Sequence, residues 1–206
     1  MPNTNPYQAV IDLEERISKW AGSKYAVATD SCTSAIFLSL MYRRKEIGGI
    51  GEVTIPRLTY PSVPCSIIHA GGTVKFSKGT WQGVYQLNPL KIIDGALRFR
   101  KNMYEGGLHC LSFHIKKLLP IGRGGMILTD SLRARDWLRK ARFDGRSPIP
   151  LSQDNFTMLG WNCYMTPEQG SRGCQLFELL RNKELRDLDM MEQGYPYLDK
   201  FPIYQQ

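Results

Sequence analysis

Short apolar runs, separated by stretches with helical spacing, constrain the fold of this chain more than any other feature. Tyr25-Ala26-Val27-Ala28-Thr29, Val53-Thr54-Ile55-Pro56, Thr73-Val74-Lys75-Phe76 and Lys91-Ile92-Ile93-Asp94 each read as a short strand, as do Leu108 to Phe113 and Gly125 to Asp130. A first helix is expected at about residues 6 to 21, where Val10, Leu13, Ile17 and Trp20 recur at steps of three and four until Gly22 stops it. Ser31-Cys32-Thr33-Ser34 opens a second helix, with Ala35, Ile36, Leu38, Leu40 and Met41 as its apolar members. Others follow from Val63 to His69, over 131–142, and from about Pro167 to Asp189. Strands alternating with helices predict one α/β domain, its mostly parallel sheet covered by helices on both faces. The tail, with Pro196 and Pro202 among aromatics, is expected to pack as irregular structure or to be partly loose.

A chain of 206 residues, 42% of them hydrophobic, can bury one sizeable core. No apolar run approaches a membrane span, and Met1-Pro2-Asn3-Thr4-Asn5 lacks the basic-then-apolar pattern of a leader. A soluble, cytoplasmic protein is expected. Cys32, Cys65, Cys110, Cys163 and Cys174 are scattered, with no C-x-x-C pair, and read as free thiols. His69, His109 and His114 have no metal-ligand spacing, so no metal site is expected. A net charge of +8 calls for an anionic partner. The charge is spread along the chain without a zinc-finger or RNA-binding signature. That favours solvated faces and a phosphorylated small molecule over nucleic acid.

In such a sheet, ligands lie at the carboxyl ends of strands and the amino ends of the helices that follow. Ser112-Phe113-His114-Ile115-Lys116-Lys117, leading to Gly122-Arg123-Gly124-Gly125, leaves a buried strand carrying a hydroxyl and an amine. A desolvated lysine there can lose its proton and attack a carbonyl, and the serine can hold a phosphate, which is the pair of roles that pyridoxal phosphate (PLP) chemistry needs. Spacing alone does not choose between Lys116 and Lys117, and a solvated pair is the plainer reading. Ser31 to Ser34 can cradle a phosphate or simply cap a helix. Asp94 ends an apolar strand, where it can pair with a pyridinium nitrogen, a cationic side chain or a helix end. Tyr60 can stack on an aromatic ring or be an ordinary half-buried tyrosine.

Taken in order, these segments resemble the DegT/DnrJ family of PLP-dependent sugar aminotransferases. The resemblance runs from about Leu13 to Leu180 through Trp20 to Val27, Ser31 to Ile36, Pro56 to Tyr60, Ile93-Asp94-Gly95-Ala96, Ser112 to Gly125, and Gly160 to Met165. It implies the large domain of the fold-type-I aminotransferases and PLP as cofactor. Lys117 then matches the Schiff-base lysine, Asp94 the acid on the pyridine nitrogen, and Tyr60 the aromatic on the ring. Thr33 and Ser112 match phosphate ligands, and Cys32 contributes its backbone N–H. Asn162 matches a residue that reaches the phosphate of a neighbouring subunit, implying a homodimer with a shared site.

The departures from the family pattern are specific. Family members are about twice as long, a two-domain size. The expected division is a shortened PLP-binding large domain at 1–190, with a tail at 191–206 in place of the small domain. One β-α unit is missing between Tyr60 and Asp94. Leu97 stands where the family has a polar residue beside the ring hydroxyl, Cys32 replaces a glycine, Arg123 a glutamate and Tyr164 an arginine. The expected function is transfer of an amino group from a donor such as glutamate to a keto-sugar, nucleotide-linked, through Lys117. The alternatives are a catalytically impaired dimeric scaffold and, on net charge alone, a nucleic-acid-binding module.

Overall fold

A computed structural model of the chain describes residues 5–205. The opening Met1-Pro2-Asn3-Thr4, read above as free of a leader pattern, lies outside the described residues. The helices are α1 (Gln8–Ala21), α2 (Cys32–Ile47), α3 (Ser62–His69), α4 (Leu132–Ala141) and α5 (Pro167–Leu180). The strands are β1 (Tyr25–Thr29), β2 (Glu52–Pro56), β3 (Thr73–Ser77), β4 (Tyr85–Leu87), β5 (Ile92–Asp94), β6 (Leu108–Ser112) and β7 (Gly125–Thr129). Among the described residues no helix is long and apolar enough to cross a membrane.

The architecture is α/β, but the sheet is mixed rather than mostly parallel. Five strands run in the order β1-β7-β6-β5-β4, and of their pairings only β5 with β6 is parallel. The reason lies in the connections, because a parallel neighbour needs a long crossover. β4 reaches β5 through residues 88–91 alone, and β6 reaches β7 through a loop that folds back on itself. Both returns are therefore antiparallel. β2 and β3 pair in parallel, and reciprocal backbone bonds between Thr54 and Asn88 (2.9 and 3.1 Å) join this pair to the end of β4. The short β4, which the apolar runs do not reveal, lies in the stretch where the family's β-α unit is missing.

Alternating side chains give the sheet two apolar faces. Val27, Cys110 and Ile127 face α2, α3 and α4. Ala26, Ala28, Leu111, Met126 and Leu128 face α1 and α5. Gly170 and Gly173 of α5 lie so close to α1 that an added Cβ would meet the backbone of Val10 or the side chain of Leu13. A buried ion cluster locks α1 to β1 and α4. Glu14, 1% exposed, accepts from Arg139, Arg142 and the backbone N–H of Ala28.

One expectation at the carboxyl end changes. The final helix stops at Leu180 rather than near Asp189. Beyond it Arg98 takes Asp187 in a buried ion pair (2.8 Å) and the Leu97 carbonyl accepts from Leu188 N–H (2.9 Å), which draws the chain across the sheet. The tail packs as irregular structure, the first of the two alternatives read from its sequence. Met190 and Leu198 are 4% and 1% exposed.

Candidate active site

Four loops at one edge of the sheet enclose a cavity of about 660 Å³. Its first wall is the start of α2. Ser31 caps that helix by accepting from Ser34 N–H (3.1 Å), so the chain turns into the helix with Cys32 and Thr33 at the cavity. The first N–H groups of any helix lack partners within it and attract negative charge. β7 begins directly beneath, and Gly125 makes that possible, since a Cβ there would collide with the Ser31 carbonyl. Thr33 Oγ1 donates to Ser62 Oγ (2.8 Å), tying the helix start to the loop that carries Tyr60.

The floor is Asp94 at the end of β5. It is 4% exposed and accepts from Tyr85 Oη (2.9 Å) at Oδ2 and from Ala96 N–H (2.9 Å) at Oδ1. Burial raises its pKa, while those two donors and the charge of Lys117 oppose the shift. Tyr85 is itself held by Thr59 (2.6 Å between hydroxyls), and burial beside Asp94 pushes its phenol well up. Asp94 is thus a buried carboxyl with neutral donors on both oxygens and, among the described residues, no cation bonded to it, an arrangement costly to keep ionised unless a cationic ligand completes it.

The lysine side is built by the loop after β6. Lys117 N–H bonds to the His114 carbonyl (2.8 Å), and Phe113 N–H to the Gly124 carbonyl (2.9 Å), so the loop is closed at its base. Lys117 is half-buried, with Nζ donating to Gln193 Oε1 (3.2 Å), whereas Lys116 is exposed. Desolvation lowers the Lys117 pKa and Lys116 adds to the effect, while Asp94 and Cys32 oppose it. Desolvation also pushes the Cys32 thiol well up, with Asp94 and Cys110 contributing. Of the two lysines, Lys117 is the amine desolvated beside the buried carboxylate.

Cys32, Thr33, Tyr60, Asp94, Ser112 and Lys117 all line this cavity. Asn162 does not; its Nδ2 donates to Asp144 Oδ2 (3.1 Å), just beyond the end of α4. Leu97 is fully buried and offers the cavity no polar group. Three residues of the site were not read from the sequence. Tyr85, on the unrecognised β4, supports Asp94. Gln193 and Tyr195, in the tail, close the mouth, and Tyr195 packs edge-on against Tyr60 (6.3 Å between centroids). The aromatic content of the tail was the available signal, since large aromatic side chains gain by covering apolar surface.

The donor set fits PLP. A helix start with Thr33 and Ser112 suits a phosphate, a cation-free buried carboxylate suits a protonated ring nitrogen, and a desolvated amine suits an aldehyde. Residues 3–92 match the sequence model of the DegT/DnrJ/EryC1/StrS aminotransferase family. The spore coat polysaccharide biosynthesis protein SpsC of Bacillus subtilis (strain 168) is 27% identical over 182 residues, covering 67% of this chain and 46% of that protein. A DegT DnrJ EryC1 StrS aminotransferase from Brucella abortus superposes with a TM-score of 0.69 at 18% identity, over 85% of this chain and 59% of that one. GDP-4-keto-6-deoxymannose-3-dehydratase (ColD), a point mutant solved with bound GDP-perosamine, superposes with a TM-score of 0.67 at 16% identity, over 84% and 61%. The chain spans about half the length of the curated relative it matches. Over residues 3–92 the chain is similar to the DegT/DnrJ/EryC1/StrS aminotransferase family, and its fold is that of the fold-type-I PLP-dependent aminotransferases.

Proposed function

We propose that the chain binds PLP and transfers an amino group from a donor such as glutamate to a keto-sugar carried on a nucleotide. The observation that carries this reading is the placement of Lys117 and Asp94 in one cavity, the amine desolvated and the carboxylate without a bonded cation. When bound, PLP supplies the electron sink on which an amino group changes partners. Asp94 would hold the proton on the ring nitrogen, with Tyr85 fixing the carboxylate. Thr33, Ser112 and the backbone N–H of Cys32 would bind the phosphate, and Tyr60 would cover one face of the ring. Lys117 Nζ would carry the aldehyde and move the proton between reacting carbons, a role suited to an amine whose pKa is lowered.

His114, Lys116 and Arg123 lie at the cavity mouth, and Arg123 is paired with Asp30 (2.8 Å). This basic rim supports an anionic acceptor, as does the nucleotide-sugar bound to ColD. The same reading includes a homodimer in which Asn162, exposed outside its own chain's cavity, would turn from Asp144 to a partner's phosphate. The division into a PLP-binding unit at 1–190 and a closing tail at 191–206 belongs to the same proposal. The test is absorbance after adding PLP and removing the excess. Wild type should keep a visible band, roughly 400 to 430 nm, and Lys117→Ala should not. No band in wild type would sink the enzyme reading.

A further inference from the structure

The tail crosses the cavity as a strap tethered on both sides. One tether is the Arg98–Asp187 pair, whose side chains are 11% and 8% exposed, together with the Leu97–Leu188 backbone bond. Both sit just beyond Asp94 in sequence. The other lies just before Tyr60. There Leu198 N–H bonds to the Arg57 carbonyl (2.9 Å), Arg57 stacks on Tyr197 (4.3 Å to the centroid), and Arg57 pairs with Asp199 (3.5 Å). Met190 is buried between the tethers, and Gly194 turns the chain through a left-handed conformation (φ 66°) that aims Gln193 and Tyr195 inward.

The Gln193 amide has one workable orientation. Its Nε2 donates to the Asp189 carbonyl (3.1 Å), which leaves Oε1 to accept from Lys117 Nζ (3.2 Å). Reversing the amide would set oxygen against the Asp189 carbonyl and an NH₂ against the lysine ammonium, so both contacts would turn repulsive. The groups around the amine are Asp94 from β5, Cys32 from α2, Lys116 from its own loop, and Tyr60 and Tyr195 at the mouth. Gln193 is the side chain that receives a hydrogen bond from Nζ.

We propose that Gln193 is the positioning residue for Lys117, and that the strap exists at this site to hold it there. The inference rests on the reading of Lys117 as the reactive amine. While that amine is free, Gln193 keeps it inside the cavity and favours its protonated form. A neutral acceptor limits that effect, so the amine still loses its proton readily.

The test is trace labelling of the full chain with acetic anhydride near about pH 8. Labelling at Lys117 is read by peptide mass spectrometry against exposed Lys19 on α1. Gln193→Glu places a carboxylate on the amine and should slow Lys117 labelling about five- to tenfold. Gln193→Ala removes the acceptor and should speed it about two- to fivefold. Opposite shifts support the proposal. Equal rates in both variants and wild type overturn it, and so does equal acceleration in both, since mere release of the strap would expose the amine in either. PLP retention, measured in parallel, separates the two readings. A lysine-dependent visible band with no split in labelling sinks the role of Gln193 alone. A split without PLP retention sinks the transferase reading and leaves Gln193 in place.

Discussion

Two carboxylates of this chain are equally hidden, and their surroundings differ completely. Glu14 (1% exposed) is met by two arginines and a backbone N–H, while Asp94 (4% exposed) is met by a phenol and a backbone N–H and faces a cavity. Taking a carboxylate out of water is costly, and only a charged partner in good geometry recovers most of that cost. Glu14 has that recovery within the chain, where it fastens α1 to β1 and α4. Asp94 does not. One acid is committed to the fold, and the other is left for a cation from outside.

The largest expected effect is therefore on stability at Glu14. Glu14→Ala would leave Arg142, whose side chain is 13% exposed, buried without its partner. A loss of about 3–5 kcal/mol in denaturant unfolding is expected. Asp94→Asn keeps volume and an acceptor oxygen while removing a charge that no cation bonds among the described residues. It should change stability by no more than about 1 kcal/mol, yet abolish PLP retention. Equal losses of stability at the two sites would break the comparison.

Tyr85→Phe sharpens it. Removing that hydroxyl strips a donor from Asp94 and leaves Thr59 without its partner, at a cost of about 1–3 kcal/mol. The carboxylate becomes harder to ionise, so PLP should bind about tenfold more weakly. The labelling rate of Lys117 should hardly change, because Tyr85 bonds to Asp94 rather than to the amine. Measuring both on one preparation distinguishes damage to the acid from collapse of the cavity.

Periodicity made the scaffold legible because most of the strands are apolar runs and the helices carry faces at steps of three and four. It missed β4, whose three residues alternate about an exposed Gln86 and are too short to leave a pattern. It also misjudged strand direction, which the length and return of the connections decide rather than the strands themselves. The loop residues of the site were legible for a different reason: Ser31 to Ser34, Asp94 and Ser112 to Lys117 sit at strand ends, where polar side chains are conspicuous after an apolar run. Gln193 and Tyr195 had no such context. Their place depends on tethers at Arg57 and Arg98, contacts between segments far apart in the chain that no local pattern encodes. Asn162 shows the converse, since its motif was recognisable while its position lies outside the cavity of its own chain.

The smallest expected effect concerns pH, and its sign follows from burial. The Asp94 pKa is raised in the folded chain above the ordinary carboxylate value. The folded state then binds that proton more tightly than the unfolded chain does. Stability contributed by this group is present at low pH and is lost as pH rises from the ordinary value through the raised one. The slope cannot exceed about 1.4 kcal/mol per pH unit for one proton. His109 acts in the opposite sense, because burial lowers its pKa to about 4 and its contribution is lost as pH falls below the ordinary histidine value. Only a difference between wild type and Asp94→Asn isolates the acid. Thermal melts from mildly acidic to neutral pH should show wild type losing stability relative to Asp94→Asn as pH rises. Adding PLP should remove that relative loss, because a cation on the carboxylate favours its charged form. A flat difference without PLP would mean that Tyr85 and Ala96 already satisfy Asp94, and that its burial reserves nothing for a ligand.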